Sequence, residues 1–388
     1  MKKIGLLPKL IIGIILGIIL GLICKSVDNY ILIRILNTFA TTFSNFLKFM
    51  IPLVIVSFVI PGIAHLGKSA GKLLGLTASI AYVSSVLAGF CAYGLGMIVL
   101  PGFIKASDVA EKSNIDLSAF FEIQMPPVMG VMTALVLAFI LGIGIALNKS
   151  EGLNKIIVEL QTIVEGVVKY ILIPCIPIYI ATIFAKLTAS GDMFKTMKSF
   201  SIVFVLIIGL QLSYIIVQYV IAFFITGKKP VKSIKNMLPA YFTALGTQSS
   251  AATIPVTLKS AVKNEVSEDI VDFVIPLGAT IHLAGDTITL VLAAMGVMML
   301  GGSTPTASQM IPYIFMLGIT MVAAPGIPGG GVVAALGLME KMLLFGADQQ
   351  ALMMALHFAQ DSFGTATNVT GDGAIAIVVD KFAKNQNK

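Results

Sequence analysis

Tryptophan is absent from this chain of 388 residues, arginine occurs once, at Arg34, and histidine and cysteine occur three times each. Charged residues make up 12% of it, about half the share a soluble domain carries. So little charge, spread between long apolar runs, excludes an ordinary soluble domain. The three cysteines, Cys24, Cys91 and Cys175, lie in or beside apolar segments. They cannot all pair and show no zinc or haem spacing, so they read as small core residues. Without tryptophan, any aromatic belt at a membrane surface must use tyrosine and phenylalanine.

What is there instead is hydrocarbon. The chain is 57% hydrophobic with a mean hydropathy of +0.97. Apolar runs at roughly 8–24, 38–63, 74–101, 127–147, 155–187 and 198–226 each approach or exceed the ~20 residues that a helix needs to cross a bilayer. The first, "LLPKLIIGIILGIILGLIC", is longer than the apolar core of a signal peptide and has no small-residue cleavage motif after it, which predicts a retained first helix. The net charge of +7 is carried by lysines in short loops, among them Lys68, Lys72, Lys149, Lys155, Lys228, Lys229, Lys232 and Lys235. That placement follows the positive-inside rule, names lipid headgroups rather than nucleic acid as the partner, and puts both termini in the cytoplasm of a cell-membrane protein.

After about residue 230 the apolar segments are interrupted. "GTQSSAATIPVT" (246–257), "IHLAGDT" (281–287), "AAPGIPGGGVV" (323–333) and "QDSFGTATNVTGDG" (360–373) each read as a break. Unpaired backbone and hydroxyls in hydrocarbon cost several kcal/mol per group and are tolerated only where they are buried in protein or line a wet cavity. The lysines on both sides of the first break predict a re-entrant hairpin with its tip at Ser249–Ser250, and the third break predicts a second hairpin from the opposite face. Each hairpin precedes a broken span, at 268–299 and 350–380. This is an inverted repeat of the kind that encloses a transporter's substrate site.

Within these breaks, Asp361, Thr365, Asn368 and Asp372 follow at spacings of four, three and four, a single stripe on a helix. Ionisable groups at membrane depth are functional by default. The Ser249–Ser250 tip offers hydroxyls and the free N–H groups of a helix start, suited to a substrate carboxylate. "HLAGD" and "HFAQD" are both His-x-Ala-x-Asp, placing His282 with Asp286 and His357 with Asp361 at i, i+4. Such pairs can hold a transition metal or relay protons.

The blocks "SSAATIPVT", "IPLGATIHLAGDTIT", "GIPGGG" and the D-x-x-x-T-x-x-N-V-T-G-D stretch, in that order over residues 240–380, resemble the dicarboxylate/amino acid:cation symporters, the glutamate transporter family. The resemblance implies an all-α integral membrane fold of eight transmembrane helices, two re-entrant hairpins and inverted repeats, a homotrimer, and elevator motion. It divides the chain into scaffold helices 1–2 (1–74), helix 3 with an extracellular loop (75–126), scaffold helices 4–6 (127–229), and a core of hairpin, broken helix, hairpin and broken helix (230–388). It implies a substrate pocket of Ser249, Ser250, Gly326, Ile327, Pro328, Gly329, Asp361, Gly364, Thr365 and Asn368, with Asp361 on the amino group, Asn368 on the carboxylate and the glycine-rich tip as gate. It implies sodium as coupling ion, with a proton as the alternative, held among Gly278, Thr280, His282, Asp286, Asn368, Asp372, Ser84, Ser85 and Ala324. No enzyme cofactor is expected.

Two departures from that family qualify the substrate. The arginine that pairs with an acidic side chain is replaced by Gly364, and Gln248 stands where some members carry an arginine. A distal carboxylate would meet no guanidinium, which favours a small neutral amino acid such as serine, threonine or alanine. A carboxylate is lost at Ala284 and returns at Asp286, and His282 offers a proton in place of one sodium. The alternatives are a dicarboxylate or acidic amino acid symporter, a membrane-embedded metalloenzyme built on the two His–Asp pairs, and a channel.

Overall fold

The computed structural model describes residues 6–386, apart from 69–71, 105–114, 192, 323 and 325–328. Among the described residues every regular element is helical. The first half contains α1 (Leu6–Val27), α2 (Ile31–Lys68), α3 (Lys72–Phe103), α4 (Val131–Asn148), α5 (Glu151–Val167), α6 (Ile173–Ser190) and α7 (Met193–Thr226). A π-helical stretch, Val168–Leu172, joins α5 to α6 as one rod. The second half contains α8 (Pro230–Thr247), α9 (Ser250–Val262), α10 (Glu268–Ile281), α11 (Ala284–Leu300), α12 (Ala307–Val322), α13 (Gly330–Met342) and α14 (Ala347–Gln386). Among the described residues six stretches are long and apolar enough to cross a membrane, including Glu268–Leu300, which runs through α10 and α11. With α4 and α14 they make eight spans, and α8–α9 and α12–α13 are the two hairpins.

Packing sorts these helices into an outer layer and a centre. On α1, Ile11, Ile12, Ile15, Leu16 and Ile19 remain about half exposed, a face left for lipid. On α11, every residue from Ala284 to Met298 is buried. A helix apolar on all sides belongs in the middle of a bundle. Around α11 stand α3, α7 and α14, while α8, α9 and α10 also pack on α14. The helix α7, expected among the scaffold helices, therefore lies against the core, on both α11 and α14.

The expected break in the last span does not occur. The helix α14 runs unbroken from Ala347 to Gln386 through the glycines and hydroxyls of 360–373. The hydroxyls of Thr367 and Thr370 donate to Phe363 O and Ala366 O of their own helix, so these polar side chains are satisfied without unwinding it. The other break before it is real. His282 and Leu283 have non-helical backbone between α10 and α11.

Arg34 lies far from the breaks. Its guanidinium pairs with Asp116 at 3.2 Å, its Nε donates to Ser118 O at 3.1 Å, and its charge sits 4.4 Å from the Phe120 ring centre. The Ser118 hydroxyl and amide, followed by Arg34 itself, hold the Asp116 carboxyl below its ordinary range. The only guanidinium of the chain is thus spent on tying the start of α2 to the segment after α3.

The seam between α1 and α6 depends on small residues. A Cβ on Gly13 would stand 2.6 Å from Pro177 O, one on Gly17 would overlap Ala181 O, and one on Gly21 would stand 2.6 Å from Thr188 Cβ. These glycines recur every four residues and let the two backbones touch. Gly17→Leu is expected to force the helices apart at about 1–3 kcal/mol. Thermal unfolding in detergent should show a lowered midpoint, whereas Gly209→Leu, where a Cβ meets nothing within 4 Å, should leave it unchanged.

Candidate functional site

Three buried carboxylates and two buried imidazoles meet where the α10–α11 break faces α14. Asp286, Asp361 and Asp372 are each at most 6% exposed, and His282 and His357 are each 1% exposed. The pairing runs between motifs, not within them. His357 Nε2 lies 2.8 Å from Asp286 Oδ1, and His282 Nδ1 lies 3.0 Å from Asp372 Oδ1. Each bond ties the α10–α11 segment to α14. The expectation that each His faces the Asp four residues along is therefore corrected. On an isolated helix those side chains share a face, but here the neighbouring helix offers the closer partner.

Asn368 strengthens the first pair. Its Nδ2 donates to Asp286 Oδ2 at 2.6 Å, and its Oδ1 accepts the Gly285 amide at 2.7 Å. Both ends of this amide are committed to the start of α11, so the expected role as carboxylate ligand requires it to be shared. Gln211 on α7 caps the same corner, donating to Gly285 O at 3.1 Å and Thr289 Oγ1 at 3.0 Å. Asp361 differs from the other two acids. Its hydrogen-bond partner is the Gly329 amide, at 3.0 Å, and among the described residues it bonds no side chain.

Between these groups lies a cavity of about 20 Å³ lined by Gln248, Ser249, Ser250, Ala279, Leu283, Asp286, Gly331, Asp361, Thr365 and Asn368. It has room for about one water. The hairpin tip reaches it. The helix α8 ends at Thr247, Gln248 turns through a left-handed conformation (φ 53°), and Ser249 caps α9 by accepting the Ala252 amide at 3.3 Å. Asp361, Thr365 and Asn368 of the α14 stripe line the cavity, whereas Asp372 points to His282 instead. Gly364 is not in the lining. It lies against the Gly285–Asp286 backbone and the Gln211 amide.

The expected sodium residues separate into two places. Ser84 on α3 joins the His282 pair, with its Oγ 3.1 Å from His282 Nε2. Gly278 backs onto Asp372, where a Cβ would meet Oδ1 at 2.7 Å. Ser85 is buried with its hydroxyl unpartnered among the described residues. Thr280 does not converge with them. It is exposed and its hydroxyl donates to Leu277 O of its own helix. Ala324 is buried near the second hairpin's tip. Gly326, Ile327 and Pro328 lie outside the described residues.

Sequence reasoning missed α7. Gln218 donates to Ser84 Oγ at 3.0 Å and approaches His282 Nε2 at 3.3 Å, Tyr214 donates to Ser84 O at 2.6 Å, and Tyr219 donates to Thr370 O at 2.8 Å. The signal was available, since Gln211, Tyr214 and Gln218 fall at i, i+3 and i+7 on one face of an otherwise apolar span. Of metal sites, the His357 nitrogen and the carboxylates of Asp286 and Asp361 bring three ligand atoms within 4.8 Å of one another. Both Asp286 oxygens are already engaged, by His357 and Asn368, while His357 Nδ1 is buried without a partner among the described residues.

The model of a family described as "Sodium:dicarboxylate symporter family" matches residues 6–382. Excitatory amino acid transporter 1 of Rattus norvegicus is 33% identical over 183 residues, 47% of this chain and 34% of that protein. Excitatory amino acid transporter 2 of Homo sapiens is 28% identical over 256 residues, 64% of this chain and 44% of that protein. The matched part thus spans less than half the length of either relative. Because the family match runs from the first turn of α1 nearly to the end of α14, through both hairpins and the break between them, the chain belongs to the sodium:dicarboxylate symporter family.

Proposed function

We propose that this protein is a secondary active symporter that imports a small neutral amino acid of the serine, threonine or alanine kind, driven by a sodium gradient. The observation that carries this reading is the cavity's charge. Among the described residues its lining holds two carboxylates, Asp286 and Asp361, and no lysine or arginine. Asp286 is matched by His357 and Asn368, which leaves Asp361 as the acid that a substrate ammonium would satisfy. A zwitterion brings that ammonium, and its single carboxylate can take the N–H groups and hydroxyls at the start of α9. A dicarboxylate would bring a second anion into a cavity already holding two, with no cation to meet it, at a cost of several kcal/mol.

The rest follows the family. The two hairpins and the α10–α11 and α14 spans form the transport core, α1, α2, α4, α5 and α6 form the scaffold, and the core moves against it as an elevator. Three copies assemble in the cell membrane with both termini cytoplasmic. A cavity of about 20 Å³ has to widen before it takes an amino acid, so the α8–α9 tip and α14 part during the cycle.

Uptake into proteoliposomes under a sodium gradient, scanned over serine, threonine, alanine, aspartate and succinate, tests the reading. Transport of aspartate or succinate without serine, threonine or alanine would overturn it. Asp361→Asn removes one side of a buried charge pair, worth about 3–5 kcal/mol, so neutral amino acid affinity should fall by about 100-fold or more. Gln248→Arg places a guanidinium at the cavity wall and should shift competition toward aspartate, by about tenfold or more for one new buried charge-assisted bond. Cross-inhibition of uptake reads this ratio.

A further inference from the structure

The core's charges do not leave every carboxylate free for a cation. A sodium ion at membrane depth needs a buried acid or a cage of oxygens. Of the three acids around the break, two are already bonded to an imidazole. At Asp372 the ring is held from both sides. Nδ1 meets the carboxylate, and Nε2 meets Ser84 Oγ on α3 and the Gln218 amide on α7. Tyr214 fixes this support, with its hydroxyl 3.3 Å from Ser84 Oγ.

The backbone reserves space for the ring. A Cβ on Gly371 would fall 2.7 Å from His282 Cε1 and 2.8 Å from both terminal atoms of the Gln218 amide. A Cβ on Gly278 would fall 2.7 Å from Asp372 Oδ1. The pair therefore sits in a slot that only glycine on each side leaves open.

Tested for fit, this donor set does not suit sodium. Hard cations take oxygen ligands, yet the group facing Asp372 Oδ1 is a ring nitrogen at hydrogen-bond distance. The oxygen of Ser84 is turned to the ring's far nitrogen and the Gln218 amide. Ala284, two residues past His282, is fully buried and offers no oxygen from its side chain. We propose that the His282 imidazole is a built-in replacement for a sodium ion at Asp372, so that this carboxylate takes no sodium. Sodium coupling then rests on other positions, and the chain binds one ion fewer than a core with a free acid at 372. The inference rests on the reading of the chain as a sodium-coupled transporter but is independent of which substrate it carries. Asp372 Oδ2 and Gln218 Oε1 are buried without partners among the described residues, so an ion beside the ring is the rival that the experiment must exclude.

Sodium titrated calorimetrically onto purified, substrate-free protein in a potassium background gives the number of ions per chain. Wild type and Asp372→Asn should bind the same number. His282→Asn, which vacates the slot and supplies an amide oxygen, should bind one more, and His282→Asn combined with Asp372→Asn should lose it again. One ion fewer in Asp372→Asn than in wild type, or none gained in His282→Asn, overturns the proposal. A readout on the unmutated slot covers any folding defect. With three histidines in the chain, the ring nitrogen NMR signals of His282 can be assigned through His65→Asn and His357→Asn. They should not move between potassium and saturating sodium, and a sodium-dependent shift of these signals overturns the proposal. Failure of amino acid uptake would instead strike the substrate reading and leave these ion counts standing.

Discussion

The core is held by two hydrogen bonds between an imidazole and a carboxylate, crossed between the α10–α11 break and α14. Without them the break would leave bare backbone and buried acids at the centre of the bundle, each costing several kcal/mol. With them, the irregular turn at His282 and Leu283 becomes an anchoring point. Asn368 bonds the Gly285 amide and Asp286, Gln211 bonds Gly285 O, and Ser84 and Gln218 hold the ring of His282. Helices α3, α7 and α14 are thereby registered on one short segment. The cavity's composition follows from the same crossing, because the two histidines engage Asp286 and Asp372 and leave Asp361 on the cavity wall, bonded to the Gly329 amide.

Much of this was legible in the sequence because membrane physics is strict. A polar run inside an apolar one must mark a turn or a site, so the hairpin tip at Gln248–Ser249 and the turn at His282 could be placed to within a residue or two. The stripe of Asp361, Thr365 and Asn368 was equally readable, since helical spacing alone puts those side chains together. That no guanidinium would reach the cavity was legible from one scarcity, the single arginine, and Arg34 is engaged with Asp116 and Phe120.

What stayed hidden was set by contacts between distant segments. The partner of each histidine lies some seventy to ninety residues away, and the i, i+4 spacing pointed to the wrong one. The continuity of α14 was hidden because glycines and hydroxyls in "GTATNVTGDG" read as a breaker. A helix surrounded by protein satisfies them by bonding back to its own carbonyls. The role of α7 was hidden by averaging, since two glutamines and two tyrosines barely lower the hydropathy of a thirty-residue window. In each case the neighbour that decides what a local pattern does was out of view.

The unbroken course of α14 also has a mechanical consequence. Asp361 and Asp372 stand eleven residues apart on one continuous helix, about 16 Å at the usual rise. That rod has no hinge between them, so it fixes the spacing of the acid facing the cavity and the acid bonded to His282. A displacement at one acid cannot be absorbed by bending on the way to the other. It reaches the second acid as rotation or translation of the whole rod, felt at once by α7, α8 and α11 packed along it. The last helix thus forms a stiff shaft through the core, and any slack has to be found in the segments around it.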